Sequence, residues 1–216
     1  VVDDGIPRVK MKVGTDRGRS PVRDVARVAA VRRAVGDEAE LMVDANGAYT
    51  AKQAVRLARS FAADAGVTWF EEPVSSDDLE GLSTVRELVD LDVAAGEYGY
   101  DLVYFERMAA AGSVDVLQLD VSRCAGITEW LRAAAVAAAH GLEVSGHCAQ
   151  SLHLHPACAV VNLRHLEYFA DHARVDRVLF DGIADPTGGT LAPDLGRPGA
   201  GLDLKAADAD RFRRRA

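Results

Sequence analysis

A chain of 216 residues, 49% hydrophobic and 27% charged, is long enough to bury one substantial core and reads as globular. Its formal net charge of -8 opposes nucleic acid or an anionic membrane surface as the main partner, because both attract positive potential. Three cysteines without metal-type spacing (Cys124, Cys148, Cys158) read as free thiols of a reducing compartment, the cytoplasm, and no apolar run is long enough to span a bilayer.

The first element is Val9-Lys10-Met11-Lys12-Val13, a strand that points Lys10 and Lys12 to one face, since residues two apart share a side. Lysine occurs only four times among 25 basic residues, so a side-by-side pair suggests amines whose pKa is lowered by a like-charged neighbour and partial desolvation. Ser20-Pro21 opens a helix to about Val35 with Ser20 as N-cap, and Leu41 to Asp44 is a buried strand. Thr50 with Gln53 forms a capping box for a helix that Gly66 stops. Val67 to Glu71 and Asp92 to Glu97 are strands separated by a helix over Asp77 to Val89. A helix from Asp101 to Ala111, a strand from Val114 to Val121 and an Ala-rich helix from Ile127 to His140 follow. Leu142 to His147 is a strand, Ser151 to Leu163 a helix and His165 to Phe169 a last strand. From Arg174 onward Gly and Pro predict mostly irregular chain, ending in the solvated arginines Arg211, Arg213, Arg214 and Arg215.

This alternation predicts an α/β fold with a parallel sheet and helical crossovers. Polar residues close the successive strands at Lys12, Asp44, Glu71, Glu97, Asp120, His147 and Glu167, between 20 and 32 residues apart. An eight-stranded barrel of about 250 residues repeats roughly every 31, so the spacing fits a TIM-type β/α barrel with its polar groups at one mouth. Only seven strands are countable, and the first strand with its helix is expected before Val1. Residues 1–190 are assigned to the barrel and 191–216 to an irregular tail.

Asp44, Glu71 and Glu97 end three consecutive strands, and three convergent carboxylates call for a hard divalent cation, Mg²⁺ rather than zinc. Asp120 and His147 end the next two strands, where the carboxylate orients the imidazole as an acid or base opposite Lys12. His153 and His155 face apart on a helix and are read as supporting or packing residues.

These residues resemble the enolase superfamily and, within it, the mandelate racemase subgroup. The resemblance rests on Lys10-x-Lys12, Asp44-Ala45-Asn46-Gly47, Phe70-Glu71-Glu72-Pro73, Ala95-Gly96-Glu97, Asp120 through Gly126, and Gly146-His147. It implies Lys12 as one acid/base catalyst, Lys10 as its electrostatic neighbour, and Asp44, Glu71 and Glu97 as the Mg²⁺ ligands. Asp120 with His147 becomes the opposing dyad, Glu167 a hydrogen-bond donor to the substrate carboxylate, and Asn46, Glu72 and Gln118 lie beside substrate or ligands. The implied reaction removes the proton alpha to a carboxylate through an ene-diolate, most simply the dehydration of a sugar acid. Racemisation of a 2-hydroxy acid is the alternative, and a non-catalytic barrel fragment is a reading of another class. Family members carry an N-terminal α+β capping domain that these residues do not include, and homo-oligomers are usual among them.

Overall fold

The structure, a computed structural model, describes residues 5–214. The first four residues of the predicted barrel segment, and Arg215 with Ala216 of the tail, lie outside the described residues. Seven strands form one parallel sheet in sequential order: β1 (Arg8–Lys12), β2 (Glu40–Asp44), β3 (Val67–Glu71), β4 (Asp92–Ala95), β5 (Val116–Leu119), β6 (Glu143–Gly146) and β7 (Leu163–Leu166). The intervening helices are the short irregular turn α1 (Thr15–Gly18), then α2 (Pro21–Val35), α3 (Ala51–Ala65), α4 (Leu79–Leu88), α5 (Leu102–Ala110), α6 (Ile127–Ala139) and α7 (Gln150–Ala157). The barrel-type α/β architecture read from the sequence is thus the one observed.

Local chemistry accounts for most boundaries. Thr50 and Gln53 exchange the two capping-box contacts that start α3, and Gly66 in the left-handed region ends it. Asp78 and Asp101 cap α4 and α5 by accepting backbone N–H groups three residues on. Ser20 is a correction: it stands at the N-cap of α2 but makes no side-chain cap, because its hydroxyl donates to Asp16 Oδ2 at 2.6 Å.

Two further expectations need correction. The predicted helix over Ser151 to Leu163 ends at Ala157, just after Pro156, and Leu163 instead pairs with Val144 in β7. The strand set at His165 to Phe169 therefore runs two to three residues earlier. The segment after Arg174 is also more ordered than its composition suggests. A helix α8 (Ala170–Leu179) buries Ala173, a two-residue ladder joins β8 (Phe180–Asp181) to β9 (Asp203–Leu204), and α9 (Ala206–Ala209) follows. The glycine- and proline-dense chain begins only after β8, and averaging it with α8 hid the helix.

The outer faces of the strands, with Leu41, Val43, Phe70, Val93, Leu117 and Val144, pack on the helices. Phe61 of α3 meets Phe70 edge to face at 6.0 Å, each ring contributing about 1.5–3 kcal/mol by leaving water. The inner face holds a second cluster, Met42, Trp69, Ala94 and Val116. The sheet curls so that β7 looks back at β3 and β4: His165 lies 5.1 Å from the Trp69 ring, and Arg164 pairs with both Asp92 and Glu143. With the Arg8–Glu40 pair, these ionic contacts gather at the amino ends of the strands. A cleft of about 690 Å³ separates β1 from β7, lined among others by Lys10, Lys12, Trp69, Gln118, His165 and Glu167.

His165 yields a stability prediction. Burial, with Arg8 and Arg164 nearby, pushes its pKa down to about 4. The unfolded chain, with an ordinary histidine near 6.5, binds the proton first, so stability falls as pH drops from about 6.5 toward 4. The linkage is worth roughly 3 kcal/mol. Thermal melts across this window should show that loss, and His165→Asn should flatten it; an unchanged slope in the variant would contradict the assignment.

Candidate active site

Strand register sets the site. Lys12 is the register partner of Asp44, and Asp44 of Glu71, so the carboxyl ends of β1, β2 and β3 align. Gly96 at φ 130° then turns the chain after β4, where a Cβ would stand 2.5 Å from the carbonyl oxygen of Gln118, and presents Glu97 to the same point. Asp44, Glu71 and Glu97 are all buried, and each offers a carboxylate oxygen within 4.8 Å of the others.

Their partners define the local charge. Lys10 Nζ donates to both oxygens of Glu71, at 2.6 and 2.7 Å, and pairs with Glu167 Oε1 at 2.5 Å; Lys12 pairs with Asp44. The expectation of lowered lysine pKa values is reversed. Burial does favour the neutral amines, but Glu71, Glu167 and Asp44 outweigh it at Lys10, and Asp44 outweighs burial and Lys10 together at Lys12, so both are raised. The sequence shows the lysines beside each other; their carboxylate partners come from other strands.

Gln118 Nε2 and Trp69 Nε1 donate to Glu71 Oε2 at 2.9 and 3.1 Å, so Gln118 positions Glu71 rather than standing apart from the cluster. The exposed Asn46 follows Asp44, donating its backbone N–H to Asp44 Oδ1 at 2.8 Å. Glu72 is buried beside the cluster, and burial together with Glu97, Asp44 and Glu71 pushes it up to about 8. Glu97 Oε2 is buried without a hydrogen bond, although His147 Nε2 is 3.2 Å away. An orphaned carboxylate oxygen within an all-oxygen donor set fits a hard divalent cation such as Mg²⁺.

Beyond Glu97 lies the predicted dyad. Asp120 Oδ2 and His147 Nδ1 are 2.7 Å apart. Burial raises Asp120, but its bonds to His147 and Ser122 prevail and hold it down at about 2; at His147 burial is likewise outweighed, by Asp120 and Cys148, and the imidazole is pushed up to about 10. Glu167, just past β7, accepts the backbone N–H of Cys148 at 3.0 Å. Lys12 therefore touches the carboxylate cluster at Asp44 and His147 touches it at Glu97, on opposite flanks of Glu71. His153 takes the packing role expected: fully buried, it accepts from Val121 N–H at 3.0 Å and lies against Trp130.

Two supports were not anticipated. Arg123 Nη1 binds the carbonyl and Oε1 of Glu97 at 3.1 and 3.2 Å, and its Nε lies 3.6 Å from Asp120 Oδ2; its place three residues after Asp120 was the available signal. Asp24 of α2 anchors the turn after the lysine strand. Fully buried, it accepts from Thr15 N–H (3.0 Å), Thr15 Oγ1 (2.6 Å) and Tyr49 OH (2.7 Å). Asp24→Ala strands those donors and should cost about 3 kcal/mol, read as a drop of roughly 10 °C in Tm; a drop below about 2 °C would show that the anchor is dispensable.

Comparisons with known proteins identify the family. The sequence model described as enolase C-terminal domain-like matches residues 1–209. The chain belongs to that family. A solved mandelate racemase/muconate lactonizing enzyme-like protein from Rubrobacter xylanophilus is 52% identical and superposes with a TM-score of 0.90, covering 97% of this chain and 57% of that one. L-talarate dehydratase from Polaromonas sp. JS666, solved with Mg and L-glucarate, is 31% identical with a TM-score of 0.88, covering 99% of this chain and 57% of that one. Among curated relatives, L-talarate/galactarate dehydratase of Salmonella typhimurium is 34% identical over 167 residues, which is 77% of this chain and 41% of that protein. The chain spans about half the length of the curated relatives it matches. No described helix is long and apolar enough to cross a membrane.

Proposed function

We propose that this chain carries the catalytic groups of a magnesium-dependent lyase that dehydrates a sugar acid. The observation that carries the reading is the placement of two acid/base side chains, Lys12 and His147, on opposite flanks of the Asp44–Glu71–Glu97 cluster. Magnesium held by those three carboxylates would supply positive charge to a substrate carboxylate, making its alpha hydrogen more acidic. Lys12 Nζ, once deprotonated and released from its pairing with Asp44, takes that proton. Lys10, between Glu71 and Glu167, places a second positive charge beside the carboxylate as negative charge grows on its oxygens. Asp120 holds His147 by Nδ1, leaving Nε2 to give a proton to the beta hydroxyl. The beta C–O bond then breaks, water departs, and the resulting enol becomes a 2-keto acid.

The sugar-acid choice is supported by the talarate and galactarate dehydratases among the relatives. A racemase would use the same two groups, with His147 returning the proton to the same carbon; their placement on both flanks suits that outcome too. The test uses the full-length protein, Mg²⁺, deuterium oxide and a library of aldonic and aldaric acids. Incorporation of deuterium with formation of a 2-keto acid supports dehydration, and incorporation with an epimer as product supports racemisation. Exchange that never exceeds the metal-free control sinks both and leaves a non-catalytic barrel.

A further inference from the structure

A second donor cluster adjoins the first: it shares His147 and Glu167 with the site described above and adds Cys148, which has no role in that reaction. His147, Cys148 and Glu167 offer one ligand atom each within 4.8 Å of one another. Consecutive residues of a strand point to opposite faces, yet Cys148 lies next to His147 in sequence and beside it in space. The reason is backbone conformation: β6 ends at Gly146, and Cys148 and Ala149 follow at φ 48° and 40°, left-handed values that turn the thiol back onto the imidazole. Cys148 Sγ stands 3.2 Å from His147 Nε2, and Glu167 Oε2 stands 4.0 Å from the same nitrogen.

We propose that His147 Nε2, Cys148 Sγ and Glu167 Oε2 form a binding site for a thiophilic divalent cation of the zinc class. Zn–N and Zn–S bonds of about 2.0 and 2.3 Å in tetrahedral geometry require donor separations of roughly 3.3–3.6 Å, and the observed 3.2 and 4.0 Å bracket them. Asp120 at 2.7 Å from Nδ1 completes the carboxylate–histidine–metal arrangement that fixes the ring and directs the Nε2 lone pair at the ion. The donors N, S and O are softer than the all-carboxylate cluster, so the two clusters select different metals. Three protein ligands leave a fourth position for water. Cys148 is half-buried and so reachable from solvent, whereas Cys124 is buried. On binding, the thiol proton and a proton on Nε2 pass to solvent. The site does not depend on whether Asp44, Glu71 and Glu97 bind magnesium.

The test titrates the full-length protein, in excess Mg²⁺, with Zn²⁺ against a chromophoric chelator, and with Co²⁺ as a spectroscopic stand-in. The expected result is a thiolate-to-cobalt charge-transfer band that Cys148→Ser abolishes, with zinc affinity reduced at least about tenfold. Cys158→Ser, at an exposed thiol elsewhere, should keep both the band and the affinity. Glu167→Gln should keep the band and weaken zinc, which separates ligand loss from a thiol-specific folding defect. A band that survives Cys148→Ser, no band in the unaltered protein, or zinc affinity changed by less than about threefold in that variant would overturn the proposal.

Discussion

Lys12→Ala in the full-length protein is expected to slow exchange of the substrate's alpha hydrogen by about 10²–10⁴-fold, the usual worth of a positioned general base. The side chain is half-exposed and, among the described residues, bonded only to Asp44, so little packing is lost with it, and Tm should move far less than the rate. His147→Asn produces a different pattern. Asparagine can still accept or donate toward Asp120, but it cannot carry a proton to a leaving hydroxyl. Exchange catalysed from the Lys12 side persists while keto-acid formation falls by a similar factor. Deuterium NMR of substrate beside keto-acid quantitation resolves the two. If Lys12→Ala leaves exchange within a few-fold of the unaltered protein, the base lies elsewhere and the assignment of Lys12 fails.

The second large effect concerns the metal. Glu71 is the middle carboxylate of the cluster and the most heavily bonded, with Lys10, Trp69 and Gln118 all donating to it. Glu71→Gln keeps the shape and removes the charge. Loss of a direct ligand should weaken Mg²⁺ by more than the roughly 10–100-fold typical of an outer supporting residue, measured by titration calorimetry. Gln118→Ala, which removes only one support of that ligand, should fall within that lower range. Equal magnesium affinity in Glu71→Gln and the unaltered protein would place the ion elsewhere.

The candidate site was legible in the sequence because its carboxylates and its acid/base pair close successive strands, and the strand period of a barrel brings those ends together whatever the loops do. Asp44, Glu71 and Glu97 converge for that reason, as do Asp120 and His147. What stayed hidden depends on the third dimension. The raised pKa values of Lys10 and Lys12 come from carboxylates on β2, β3 and the end of β7, dozens of residues away. Arg123 stands three residues after Asp120, but its bonds to Glu97 and those of Asp24 to Tyr49 join separate elements. The proximity of Cys148 to His147 needs two left-handed residues, neither of them glycine, and side-chain patterning favours the opposite arrangement. The boundaries of α7 and β7 differ from expectation because Pro156 ends the helix early, and α8 escapes notice because glycine- and proline-dense chain follows it directly.

The ionic pairs at the amino ends of the strands, Arg8 with Glu40 and Arg164 with Asp92 and Glu143, sit at the far pole from the carboxyl ends that carry the candidate site. These ionic contacts and the candidate site thus occupy different ends of the same seven strands. A change in the loops that follow the carboxyl ends therefore leaves Arg8, Glu40, Asp92, Glu143 and Arg164 in their pairings at the opposite pole.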